Sequence, residues 1–200
     1  MIRLLHISDV HLGARLGGFG PVAEERRDAI RAAFRRLPER VAGWDVDAVL
    51  VAGDLFDNPR PAGRDVDVAR ETLRALAEAR PVFAIPGNHD LATGGDSPWR
   101  EMPRSVTVFL APRFGEPARA VVRGQTLHVH GLAYDPTAGG DPLAGYRRSP
   151  AEGLHVVLLH AGAADHPDWT GGHGLRVTSD RLAALDADYL ALGDHHRFRP

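Results

Sequence analysis

Five short polar clusters each follow an apolar run in this chain: Asp9 and His11, Asp54, Asn88 to Asp90, His160, and Asp194 to His196. Carboxylate oxygens, imidazole nitrogens and an Asn carbonyl together suit borderline or hard divalent cations such as manganese, iron or zinc. Cys is absent, so neither a thiolate site nor a disulfide framework is available. In an extended segment the two residues of Asp9-x-His11 point to one side and can chelate a single ion. The plainer reading is an Asp capping a turn beside a surface His. Asp54 ends a buried run, where an unpaired carboxylate is costly. Its two oxygens could instead bridge two cations about 3.5–4 Å apart, the spacing of two-metal hydrolases. Asp57, three residues on within "GDLFD", is expected to order the loop by hydrogen bonds. In "PGNHD", Asn88 offers a neutral oxygen, and His89 beside Asp90 is placed to be held protonated or oriented as a general acid. A Gly-Asn turn with an exposed His is the plainer alternative there.

The elements that must carry these groups are legible as short runs. Strands are expected at Ile2 to Ile7, Ala48 to Ala52, Val82 to Ile85, Val106 to Leu110, Ala120 to Arg123, Leu127 to His130, His155 to Leu159 and Tyr189 to Leu192. Ile30, Phe34, Leu37 and Val41 paint one face of a helix that Pro38 should bend or end. Val66, Ala69, Leu73, Leu76 and Ala77 line a second, and Asp180 to Leu185 a third. Strand, helix, strand, helix, strand implies parallel strands with right-handed crossovers, so the front is α/β and the back richer in β. Ligands of open α/β sheets bind beyond the carboxyl ends of strands, where all five clusters would converge. The stretch Ala133 to Gly153 is long and turn-rich and is expected to be a mobile surface excursion.

Two hundred residues favour one domain with a substantial core, and 44% hydrophobic with 25% charged residues exclude a disordered chain. The net charge of -2 gives no overall positive field to recruit nucleic acid or membrane, so a polyanion must be held locally. All 24 basic residues are Arg, a bias of the kind a GC-rich genome produces. The opening "MIRLLHISDVHLG" is too soon interrupted for a signal peptide or membrane span, so a cytoplasmic location is expected.

Taken in order, "DVH", "GDLFD", "GNHD", the His of "LLHA" and a His-bearing last strand end resemble the calcineurin-like metallophosphoesterases over essentially the whole chain. "AGDLFDNPRP", "PVFAIPGNHD" and "YLALGDHH" resemble, more narrowly, the SbcD-like double-strand-break repair nucleases. The resemblance implies a four-layer αββα sandwich of two mixed β-sheets flanked by helices. It implies two divalent ions, one among Asp9, His11, Asp54 and His196, the other among Asp54, Asn88, His160 and position 194. His89 matches the family's catalytic histidine, with Asp90 beside it. The usual last motif is Gly-His-x-His, and here Asp194 replaces the first His. Strand alternation puts Asp194 and His196 on one side and His195 on the other, which favours Asp194 as the ligand. The implied activity is two-metal phosphodiester hydrolysis, as a DNA exonuclease or endonuclease in repair, with an SbcC-like ATPase as partner and a homodimer as an open option. A phosphodiesterase or phosphatase acting on a nucleotide, lipid or phosphoprotein is the alternative, and a silent scaffold the third. Residues 1–200 would form one catalytic domain without the C-terminal capping domain of those nucleases. Arg15, Arg60, Arg64, Arg100 and Arg104 follow the clusters and could contact a DNA backbone, or simply be solvated.

Overall fold

The computed structural model describes residues 1–91, 97–165 and 174–196. Its first sheet holds β1 (Leu4–Ile7), β2 (Ala48–Ala52), β3 (Val82–Ile85) and β4 (Val106–Val108) in that order, every pairing parallel. The second is mixed. β5 (Ala118–Val122) runs antiparallel to β6 (Gln125–Leu132), and β7 (Leu154–Ala163) pairs in parallel with β6, β8 (Leu175–Val177) and β9 (Tyr189–Gly193). The expectation of two mixed sheets therefore resolves into one all-parallel and one mixed, because only the β5–β6 link is short enough for a hairpin.

Period-two alternation explains the layering. On β2, Val49 and Val51 face α1 (Ala23–Arg35) and α3 (Gly63–Ala77), in a core with Phe34, Val41, Leu73 and Leu76. Ala48, Leu50 and Ala52 face the other way, meeting Leu127, Val129, Val156 and Leu158 of the second sheet. β2 is buried along its whole length, as a central strand of a parallel sheet covered on both faces must be. The outer face of β7, Val157 and Leu159, packs under Leu182 of α4 (Ser179–Ala183) and Leu185. Helix, sheet, sheet and helix are thus the four layers.

The first helical stretch breaks at Arg36, and α2 (Leu37–Ala42) restarts with Pro38 in its opening turn, where a missing N–H costs nothing. β8 was not anticipated, since three residues beside a Gly-rich tract carry too little pattern, and β7 runs four residues past the expected Leu159. His160 consequently lies within a strand and not after it. The excursion from Ala133 to Gly153 is not a free loop either: Leu143 and Tyr146 are buried beside Phe114 in the outer core. No helix among the described residues is long and apolar enough to cross a membrane.

Candidate active site

β1, β2 and β3 are parallel, as are β7 and β9, and the packed sheets bring the carboxyl ends of all five strands to one edge. Main-chain bonds lock the loops together there: Asp9 N–H donates to the Gly53 carbonyl at 3.1 Å and His11 N–H to that of Asp54 at 3.0 Å. Two glycines permit the approach. Gly53 has φ +90° and a Cβ would stand 2.4 Å from His160 Nδ1; at Gly87 a Cβ would stand 2.2 Å from Asp54 Oδ1. Asp9, His11, Asp54 and Asp194 all sit at positive φ, between 50° and 83°. Four non-glycine residues in that sparsely populated region cost about 1–3 kcal/mol each, and such strain gathers at functional sites.

The side chains form two groups that share Asp54. In the first, His11 Nε2 lies 3.3 Å from His196 Nε2 and 3.7 Å from Asp54 Oδ2, while His196 Nε2 lies 3.6 Å from Asp9 Oδ1. In the second, His160 Nε2 lies 2.8 Å from Asn88 Oδ1, 3.3 Å from Asp54 Oδ2 and 3.8 Å from Asp194 Oδ1. Donor atoms bound about 2.1 Å from one tetrahedral cation would themselves be roughly 3.4 Å apart. The separations above, from 2.8 to 3.8 Å, scatter about that measure, and Asp9 also has a carboxylate oxygen within 4.8 Å of Asp54 and His160. His160 Nδ1 donates to the Ala52 carbonyl at 2.8 Å, which fixes Nε2 as its free ligand atom.

Electrostatics point the same way. Burial opposes ionisation of Asp54, but the hydrogen bond and charge of His160 outweigh it and hold the carboxyl below its usual range. Burial likewise opposes protonation of His160, yet Asp54 pushes it up to about 9. This carboxylate demands positive charge beside it. Burial lowers His11 despite Asp54, leaving a neutral imidazole suited to a metal. Asp194 Oδ2 is buried without a hydrogen-bond partner among the described residues, an orphan acceptor that a cation would satisfy. The donor set therefore fits divalent ions.

Asp194 reaches this position by a route other than strand alternation. β9 ends at Gly193 and Asp194 has φ 83°, so alternation stops before it. Its placement comes from its N–H to Asp9 Oδ1 at 3.0 Å and from Gly174 N–H to its own Oδ1 at 3.0 Å.

His89 borders both groups. Its N–H donates to Asp54 Oδ1 at 2.9 Å, its ring lies 4.8 Å from that of His11, and its Nδ1 is 3.1 Å from the Asp57 carbonyl. A carbonyl only accepts, so Nδ1 carries a proton and Nε2 is the atom left to transfer one. Asp90 does not orient this imidazole. It is wholly buried, accepting the N–H of Gly87 at 2.6 Å and of Phe56 at 3.1 Å, and burial with the nearby Asp54 charge raises it to about 6. Its carboxylate ties the Asn88–His89 turn to the segment after Asp54.

Asp57 does more than the sequence reading foresaw. Besides its carbonyl on His89, its carboxylate lies 3.2 Å from His11 Nδ1, aiming His11 Nε2 at Asp54 and His196. Arg15, Arg60, Arg64, Arg100 and Arg104 are all exposed, and Arg64 is paired with Glu24 at 2.8 Å.

Comparison with known proteins adds an independent line. The family described as Calcineurin-like phosphoesterase matches residues 2–198. The DNA double-strand break repair protein Mre11 of Haloferax volcanii is 32% identical over 200 residues, covering 98% of this chain and 42% of that protein. Mre11 of Aeropyrum pernix is 44% identical over 116 residues, 57% of this chain and 27% of that protein. The chain thus spans less than half the length of these curated relatives. Pseudomonas putida nuclease MPE superposes loosely, with a TM-score of 0.37 at 19% identity over 80% of this chain and 60% of that one.

Proposed function

The chain belongs to the calcineurin-like phosphoesterase family, and on that premise we propose that it is a two-metal phosphodiester hydrolase acting on DNA in double-strand-break repair. One observation carries the hydrolase: two groups of oxygen and nitrogen donors that meet at a single buried carboxylate, with a histidine proton donor beside them. The substrate class is supported by the 32% identity to a DNA double-strand break repair protein across 98% of the chain. An SbcC-like ATPase and a second copy of the chain are the partners this reading carries with it.

Asp9, His11, Asp54 and His196 would hold one ion and Asp54, Asn88, His160 and Asp194 the other, with manganese as the proposed metal. Such a pair supplies a water of lowered pKa and positive charge against the crowded phosphoryl oxygens. The chain's own contributions are geometric and protonic. Asp57 holds His11 and His89 in register, Asp90 fixes the turn beneath them, and His89 Nε2 gives its proton to the departing ester oxygen as the P–O bond breaks. The attacking water supplies the new P–O bond, and solvent restores the proton to His89.

Cleavage of end-labelled duplex and single-stranded DNA with manganese, beside a chromogenic phosphodiester, tests this. DNA should be cut, and more weakly as salt rises, because a phosphate grip releases counterions. Hydrolysis of the small diester with DNA left intact would reject DNA as substrate. A manganese-loaded protein inert to both would reject the hydrolase.

Asp194 should tune this centre. A third carboxylate lowers its net charge by one, favouring ion retention at some cost in electrophilic pull. Asp194→His is expected to weaken manganese binding by about tenfold in calorimetry while raising turnover at saturating metal. Unchanged affinity and unchanged rate would together remove that role.

A further inference from the structure

Away from this centre the chain buries three histidines that the proposed chemistry does not use. His128 and His130 stand two residues apart on β6, and His155 faces His128 across the β6–β7 ladder; none is more than 3% exposed. The rings of His128 and His155 stack with centroids 4.5 Å apart and planes 4° from parallel. His130 Nε2 lies 3.3 Å from His155 Nδ1, and the Tyr146 ring stands edge-on to His130 at 4.9 Å. The returning end of the 133–153 excursion closes over them, with the Glu152 carbonyl 3.1 Å from His128 Nε2 and the Ala151 carbonyl 3.4 Å from His155 Nε2.

These acceptors assign the protons. Carbonyls cannot donate, so His128 and His155 carry theirs on Nε2. Neutral His155 then offers a lone pair at Nδ1, which receives His130 Nε2–H. The relay from His130 through His155 to Ala151 is complete only while His155 is neutral. A second proton on His155 would sit on Nδ1, facing the N–H of His130. His128 Nδ1 is buried with no partner among the described residues.

Among the surrounding charges Asp188 favours a proton on His155 and Arg148 opposes it. Arg119 of β5 is paired in register with His128. Arg148, from the excursion, opposes protonation of His130 and His155. Asp188, before β9, accepts the His155 backbone N–H at 2.7 Å, but it also binds Arg148 at 3.1 Å, whose other amine donates to the Asp186 carbonyl at 2.5 Å. Glu152 and Tyr146 complete the set from the cover itself, and an Arg181 to Asp141 ion pair ties the excursion to α4. Burial first, then the neighbouring rings and Arg148, lowers His130 to about 4; burial also lowers His155.

We propose that His130 and His155, with His128 stacked against them, form a proton-sensitive latch that holds residues 144–153 on the outer face of the second sheet at neutral pH and releases them on acidification. The open form, with histidines near 6.5, binds more protons than the closed one. Closure is therefore fully favoured above about pH 6.5 and is lost as pH falls below it, His130 contributing roughly tenfold per pH unit down to about 4 and His155 acting in the same direction. At its other end the same excursion borders the candidate active site, where Tyr134 N–H meets the Pro86 carbonyl at 3.5 Å. Release would thus loosen chain attached beside the Asn88–His89 turn.

Hydrogen exchange followed by mass spectrometry on the full chain, at about pH 7.5 and about pH 5 and normalised for intrinsic exchange, tests the latch. Protection of residues 144–153 should fall at least tenfold relative to α3 in wild type, and by less in His130→Phe. Equal pH dependence of the cover and α3 in wild type would overturn the proposal. So would ring titrations of both His130 and His155 near 6.5 by NMR in the wild-type protein, a measurement that does not depend on any variant folding.

Discussion

Asp54→Asn is expected to leave the chain folded but unable to retain two divalent ions, with phosphodiester turnover lowered by roughly a thousandfold or more, the equivalent of several kcal/mol of lost charge stabilisation. Asp54 is the buried carboxylate that reaches both donor groups, with Oδ2 3.3 Å from His160 Nε2 and 3.7 Å from His11 Nε2. In the variant, the amide oxygen can still accept His89 N–H at the place of Oδ1, so the turn keeps its anchor. The amide nitrogen then points donors at the atoms meant to ligate, and the bridging negative charge is gone. Nor can the side chain retreat, because the backbone of Gly87 already stands where even a Cβ would come within 2.2 Å of Oδ1. Metal per chain after gel filtration, measured by elemental analysis beside a thermal melt, reads the two effects separately. Retention of both ions with full turnover would remove Asp54 from the bridging role.

What the sequence disclosed follows from how local each cause was. β2 and β3 are bounded as expected because each is an unbroken apolar run closed by Gly-Asp or Pro-Gly, signals held within a few residues. β8 depends on β7 continuing to Ala163, a tertiary cause with no local trace. The candidate centre was legible because four of the clusters follow a strand while His160 lies near the carboxyl end of β7, and parallel strands put those ends together. Side-chain direction was not. Asp90 adjoins His89 in sequence, yet its carboxylate turns inward to two backbone N–H groups. Asp194 lies beyond the last strand pair, so a positive φ and the N–H of Gly174, twenty residues earlier, decide its aim. The excursion looked free because its two anchors, Leu143 and Tyr146, are isolated among turn residues.

His89→Ala is expected to separate the chemistry from the binding of metal. The contact that fixes the 88–90 turn on Asp54 is made by the His89 main-chain N–H, which alanine retains, and Asp90 continues to bind Gly87 and Phe56. Metal content should therefore stay at the wild-type level. Turnover should fall by about 10²–10⁴-fold, the range that a positioned general acid contributes. That loss should be largest for esters whose leaving oxygen is a poor one, as in an alkoxide, and smallest for a nitrophenolate, which departs without a proton. A series of phosphodiesters graded by leaving-group pKa measures the difference as a steeper dependence of rate in the variant. Equal slowing along the series would mean that His89 acts by charge or position, and that the proton reaches the leaving oxygen from another source. The imidazole's setting favours the acid: Nδ1 is committed to the Asp57 carbonyl at 3.1 Å, so only Nε2 remains to exchange a proton with substrate.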